Sequence, residues 1–92
     1  MPTPEANRKY LGTYVDSAPL LHREMIKAVI RGYKLNKINF SDAERVVLML
    51  ASKNKTLTKT GRAVEAYYNL MAKSGLVEKP PDFADEELKE GL

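Results

Sequence analysis

The sequence predicts a compact, mainly all-α domain of three to four helices, followed by an acidic segment. Its 92 residues suit one domain. Four helical segments are predicted: three have apolar side chains at helical spacing, and the first has the residues that start and end a helix. The best period-two candidate, Leu76-Val77-Glu78, is too short to count as a strand. We therefore expect a single helical domain over residues 1–79 and an acidic, flexible tail over residues 80–92.

The first helix is predicted to begin after Thr3 and to end near Gly12. The Thr3 side chain suits an N-cap, and Pro4 suits the first helical position. Glu5 is favourable near the positive end of the helix dipole. Together these residues define a short helix.

The second helix is predicted over residues 18–34, with Asp16 or Ser17 as its N-cap. Its apolar stripe consists of His22, Met25, Ile26, Val29, Ile30 and Tyr33. Another face is basic and holds Arg23, Lys27, Arg31 and Lys34. Gly32 is a weak point near the end of this helix.

The third helix is predicted to follow Phe40, because Ser41 and Glu44 have the spacing of a capping box. Its main apolar stripe consists of Ala43, Val46, Val47 and Leu50, and Leu48 and Met49 widen it. So broad an apolar face indicates a central helix.

The fourth helix is predicted over residues 61–74, with Thr58 or Thr60 as its N-cap. Gly75 suits the left-handed position after a helix, and Leu76 suits the hydrophobic contact that accompanies it. The inward face consists of Ala63, Val64, Tyr67, Leu70 and Met71.

The net charge of +3 is unevenly distributed along the chain. Residues 1–79 hold fourteen basic and seven acidic side chains, a net charge of +7. Residues 80–92 hold five acidic side chains and Lys89, a net charge of −4. Such a layout occurs in proteins that bind nucleic acid. An ordinary basic domain with a solvated tail would have the same charges.

The sequence offers few groups for catalysis. Cysteine is absent, which excludes disulfides, thiolate nucleophiles and cysteine-bound zinc. The single histidine, His22, starts an apolar stripe and is interpreted as a packed residue rather than a metal ligand or base. The longest apolar run, residues 46–51, is too short to cross a bilayer. We expect a protein that is not an enzyme, has no cofactor, metal or membrane partner, and is cytoplasmic.

Residues 53–62, KNKTLTKTGR, combine positive charge with hydroxyl groups immediately before the fourth predicted helix. Their basic members are Lys53, Lys55, Lys59 and Arg62, and their threonines are Thr56, Thr58 and Thr60. Helix N-termini, hydroxyls and lysines are typical phosphate contacts. The run therefore predicts an anion-binding site, although a lysine-rich loop with a threonine cap has the same composition. If the basic face of the second helix points the same way, the two strips form one groove.

Tyr67 and Tyr68 are adjacent and point about 100° apart on a helix. Tyr67 belongs to the core stripe. Tyr68 is a candidate for stacking on a base or on a partner protein. It can equally lie at the rim of the core with its hydroxyl in water.

The passage from Thr56 to Lys79, about a quarter of the chain, resembles the recognition helix and wing of winged-helix DNA-binding domains. The residues that carry the likeness, shifted by one position, are Leu70, Gly75, Leu76 and Val77. The resemblance implies a helix-turn-helix-like fold. It also implies that Thr58, Lys59, Thr60 and Arg62 approach the major groove, with Glu65 and Asn69 on the exposed face.

Two features depart from that family. The predicted connection between the third and fourth helices has about seven residues, 54–60, unless Thr56 to Lys59 form a helical turn. A helix-turn-helix uses about three or four. Pro80-Pro81 and the acidic tail also occupy the place of a second wing strand.

The sequence thus predicts a small nucleic-acid-binding protein, with DNA favoured over RNA and a homodimer possible. A DNA-binding regulator is the leading hypothesis. The alternative is a protein-interaction adaptor or inhibitor of a larger complex, of the kind that mobile elements encode, with Tyr68 at its interface. The predicted nucleic-acid contacts are Arg23, Lys27, Arg31, Lys34, Lys53, Lys55, Thr58, Lys59, Thr60, Arg62 and Asn69.

Overall fold

The computed structural model describes residues 3–53 and 56–76, and it confirms the all-α class. Its helices are α1 (Pro4–Gly12), α2 (Leu20–Lys34), α3 (Phe40–Ala51) and α4 (Leu57–Lys73). Residues 3–53 and 56–76 contain no strand. The predicted acidic tail, residues 80–92, lies outside these ranges.

α1 begins and ends as the sequence predicts. The backbone N–H of Ala6 donates to Thr3 Oγ1 at 3.1 Å, and Pro4 and Gly12 are the first and last helical residues. Leu11 is fully buried and fixes the helix to the core. The side-chain amide of Asn7 also donates to the hydroxyl of Tyr33 at 3.0 Å, which joins α1 to α2.

The predicted caps of α2 are wrong. The helix begins at Leu20, and the preceding residue is Pro19, which makes no side-chain capping bond. Neither Asp16 nor Ser17 takes that position, and the Ser17 hydroxyl instead donates to the carbonyl oxygen of Tyr14 at 3.1 Å. Pro19 has no N–H of its own to leave unpaired, and its carbonyl oxygen accepts from the N–H of His22 at 2.8 Å.

The capping box predicted for Ser41 and Glu44 is also wrong. Asn39 is the N-cap of α3, and its Oδ1 accepts from the N–H of Asp42 at 2.8 Å. Asparagine and serine cap equally well, so local chemistry does not choose between them. The earlier start makes Phe40 helical and packs its ring against aromatic side chains of α1 and α2.

α4 begins earlier than predicted, at Leu57 rather than residue 61. Thr56 is the N-cap, and its Oγ1 accepts from the N–H of Lys59 at 3.1 Å. Thr58 and Thr60 are therefore inside the helix and not its caps. The connection from α3 to α4 is shortened to five residues.

α4 ends as predicted. Gly75 has φ 75°, the left-handed region that glycine enters without strain. The N–H of Leu76 donates to Met71 O at 2.9 Å, and the N–H of Gly75 donates to Ala72 O at 3.1 Å. This is the hydrogen-bond pattern of a Schellman cap. Leu76 packs against the core.

The buried core confirms the main apolar stripes predicted for α2, α3 and α4, but Leu48, which was expected to widen the α3 stripe, is 42% exposed. α3 contacts each of the other helices, as its broad apolar face indicates. Within the described residues, α1 and α4 do not contact each other, so they lie on opposite sides of the α2–α3 pair. The buried apolar residues of these three helices are Ile26, Val29, Ala43, Val46, Val47, Leu50, Ala51, Ala63, Val64, Leu70 and Met71.

Candidate nucleic-acid interface

A cleft of about 380 Å³ lies between α3 and α4. Its lining combines three cations, one carboxylate, one amide and two apolar residues: Arg45, Arg62, Lys73, Glu65, Asn69, Ala66 and Leu70. Two of these, Arg62 and Asn69, are among the predicted nucleic-acid contacts.

The spacing of the α4 residues explains why they share one wall. Arg62, Glu65, Asn69 and Lys73 follow one another at intervals of three or four residues, which puts them on one helix face. This face extends for about 16 Å along the helix axis. Arg45 reaches the cleft from α3.

The residues that line the cleft include three cations and one carboxylate, Glu65. Lys73 Nζ lies 3.7 Å from Asp42 Oδ2, but the lysine side chain is 76% exposed. Such a surface pair contributes little stability. An incoming anion can therefore recruit Lys73 at little cost.

The first turn of α4 holds the central part of the predicted anion site. Thr58 and Lys59 are exposed, and Thr60 is half-buried. The N–H groups of Lys59 and Thr60 are already bonded to Thr56, to its side chain and its carbonyl oxygen respectively. Lys53 is exposed just after α3, whereas Lys55 lies outside the described residues.

The basic face of α2 lies apart from the cleft, which no described α2 side chain lines. The guanidinium of Arg23 donates to Asp16 O at 3.0 Å and to Ala18 O at 3.2 Å. Arg23 thereby holds the turn that precedes α2. The structure thus uses this side chain to support the fold, and its contact with nucleic acid stays a prediction.

The other three cations of that face are exposed. Lys27 Nζ lies 3.5 Å from Glu24 Oε1. Arg31 lies close enough to α4 for its charge to lower the pKa of Tyr67. Lys34 is the last residue of α2. This strip therefore approaches α4 on the side of Tyr67, about 140° around the helix from Arg62.

Tyr67 and Tyr68 form an edge-to-face pair, with ring centroids 5.0 Å apart. Both are half-buried. Burial raises the pKa of Tyr67 above its ordinary value, Tyr68 adds to the increase, and Arg31 opposes it. Tyr68 thus lies at the rim of the core, and its role as a partner contact stays a prediction.

His22 is buried, and its Nδ1 donates to the carbonyl oxygen of Leu50 at 3.0 Å. The bond joins the first turn of α2 to the last turn of α3. The described part of the chain has no cluster of side chains suited to a metal ion. Its helices also include none that is long and apolar enough to cross a membrane.

The prediction from sequence omitted two cations of the cleft, Arg45 and Lys73. Lys73 is eleven residues after Arg62, three helical turns on, so helical spacing alone would have included it. Arg45 carries no such signal, because its position depends on how α3 packs against α4.

No family model, curated protein or solved structure matches this chain. The resemblance to winged-helix domains accordingly stays a prediction.

Proposed function

We propose that this is a small nucleic-acid-binding protein, a DNA-binding regulator that places the outer face of α4 against duplex DNA. The observation that carries the proposal is the cleft that Arg45, Arg62 and Lys73 line together with Asn69. Cations around one amide are suited to a phosphate backbone and an adjacent base edge.

Each group has a chemical role in this proposal. The two arginines donate paired N–H bonds to phosphate oxygens, and Lys73 adds a point charge. Asn69 is able to pair with the major-groove edge of adenine. Lys59 and Thr58, in the exposed first turn, contact a flanking phosphate. Duplex DNA is favoured over duplex RNA because the RNA major groove is too narrow to admit a helix.

The test is the binding of a labelled DNA duplex, followed by fluorescence anisotropy over a range of salt concentrations. Affinity should fall with salt, with a log–log slope of about 0.9 for each phosphate contacted. Arg62→Glu and Lys59→Glu should each weaken binding at least tenfold and reduce that slope by about one.

Lys9→Glu is the matched control, because it makes the same charge change on exposed α1, across the bundle from α4. It should reduce affinity far less than Arg62→Glu. Equal losses of affinity in both variants would indicate non-specific charge attraction and contradict this interface. Failure of the unaltered protein to bind any duplex would contradict it as well.

Three exposed leucines favour the second candidate function, a protein-interaction adaptor. Leu20, Leu21 and Leu57 are 76%, 71% and 72% exposed. Leu20 and Leu21 start α2, which His22 ties to the end of α3, and Leu57 starts α4 after a short connection. They therefore lie toward the same end of the bundle, where an apolar partner surface could cover them.

This candidate is tested with a double variant, Leu21→Ser with Leu57→Ser. The measurement is the amount of one partner protein that the variant captures. Leu35→Ser, at the other end of α2 and 60% exposed, is the control. Capture should be lost in the first variant and retained in the second. Equal capture by both would contradict the adaptor interface.

A further inference from the structure

We propose that the acidic segment, residues 82–92, docks into the cleft between α3 and α4 of its own chain and competes there with nucleic-acid phosphate. The competition rests on the proposed function, whereas the docking can be tested without any nucleic acid.

Charge complementarity is the first reason. The cleft is lined by Arg45, Arg62, Lys73 and the carboxylate of Glu65, and Lys73 also lies 3.7 Å from Asp42. The segment DFADEELKEGL carries five carboxylates and one lysine. Carboxylates accept the same paired N–H bonds from arginine that phosphates accept. The segment therefore supplies the kind of ligand for which the cleft is suited.

The position at which the chain leaves α4 is the second reason. Leu76, the last described residue, follows the cleft residue Lys73 by only three positions. Glu86 follows Leu76 by ten positions, an extended reach of up to about 33 Å. The wall of the cleft on α4 is about 16 Å long. The segment can thus reach every cation of the cleft without any change in the helices.

The short tether also decides between this chain and a second copy as the source of the segment. A short flexible linker gives an effective concentration in the millimolar range. At micromolar protein, a weak charge-driven contact forms within one chain before it forms between two. The docked segment would therefore weaken non-specific DNA binding, while a DNA site offering more contacts would displace it.

The docking is tested by paramagnetic relaxation in the full chain. The sequence has no cysteine, so Gly91→Cys provides a single spin-label site without changing charge. We expect the label to broaden the amide signals of Arg45, Arg62 and Asn69 much more than that of Lys9. High salt should abolish the difference, because the contact is ionic.

The matched variants neutralise three carboxylates each. Asp85→Asn with Glu86→Gln and Glu87→Gln should remove the broadening at the cleft. Glu5→Gln with Asp16→Asn and Glu24→Gln makes the same net charge change elsewhere and should preserve it. Broadening that is uniform, or that appears on unlabelled chains mixed with labelled ones, would overturn docking within the chain.

Duplex affinity provides the second measurement. At low salt the segment-neutralised variant should bind DNA roughly fivefold more tightly than the control variant, as expected for a coupled pair of sites. Equal affinities without cleft broadening would overturn the docking and leave the proposed function intact. Cleft broadening in a protein that binds no duplex would support the docking and overturn the competition and the proposed function.

Discussion

Gly32, near the end of α2, lies so close to its neighbours that a side chain would collide with them. A Cβ there would lie 2.5 Å from Ile38 Cδ1 and 2.9 Å from Leu76 Cδ1. Ile38 is buried, and its Cγ1 would also be only 3.1 Å away. We expect Gly32→Ala to lower the free energy of unfolding by about 1–2 kcal/mol, because buried Ile38 must move.

Gly61→Ala is the control for that variant, measured by urea denaturation under the same conditions. Gly61 lies inside α4, and a Cβ there would meet nothing within 4 Å. Alanine should therefore raise the free energy of unfolding by about 0.5–1 kcal/mol through backbone entropy. Stabilisation by both substitutions would show that the end of α2 has room for a methyl group.

Among the helices, α4 has a start that a side-chain hydrogen bond stabilises. The Lys59 N–H donates to Thr56 Oγ1, whereas Thr58 already belongs to the first turn. Thr56→Ala should lower the free energy of unfolding by about 1 kcal/mol, the usual loss for an N-cap. It should also speed the hydrogen exchange of the Lys59 amide.

Thr58→Ala is the same substitution two residues later. It should leave the free energy of unfolding unchanged or raise it by up to about 0.5 kcal/mol, because alanine has the higher helix propensity. Urea denaturation and amide exchange compare the two variants directly. A larger loss for Thr58→Ala would mean that α4 starts later than Thr56.

The helix starts also show what sequence could and could not predict. Periodicity predicted α2, α3 and α4 and their main buried stripes, because burial repeats along the chain. α1 was predicted from its cap residues instead. The N-cap of α3 could not be predicted from local chemistry, because asparagine and serine, present at Asn39 and Ser41, cap equally well. In the structure Asn39 is the cap, and the ring of Phe40 packs against aromatic side chains of α1 and α2. For α4, capping at Thr56 adds helical backbone bonds, which favours the longer helix.

The candidate site was also predicted in part from helical spacing. Arg62 and Asn69 were predicted from their place on a polar helix face, and the structure brings them into one cleft. Arg45 could not be predicted, because its neighbours come from another helix. Side chains on one element are related by local geometry, whereas a site between two elements depends on their packing.

Across the whole bundle, tyrosines with raised pKa values lie on both sides of the α2–α3 pair. Tyr10, on α1, has its pKa raised above 10.0 by hydrogen bonds, chiefly with Tyr14 and then with Glu44. Its hydroxyl lies 3.2 Å from that of Tyr14. Burial raises the pKa of Tyr67, on α4, above 10.0 as well. Folding therefore favours the neutral phenol at both positions.

The stability of the bundle should consequently depend on alkaline pH. A raised pKa in the folded state contributes stability that is fully present below pH 10.0, the ordinary value, and is lost as the pH rises through the folded-state pKa. We expect the free energy of unfolding, measured in urea by circular dichroism, to decline above pH 10.0. The stability of the double variant Tyr10→Phe with Tyr67→Phe should decline less steeply, because it keeps both rings without the ionisable groups.

Since lysines titrate in this range in both proteins, only the difference between the two slopes reports on these tyrosines. Identical slopes would show that the two phenols ionise as readily in the folded chain as in the unfolded one.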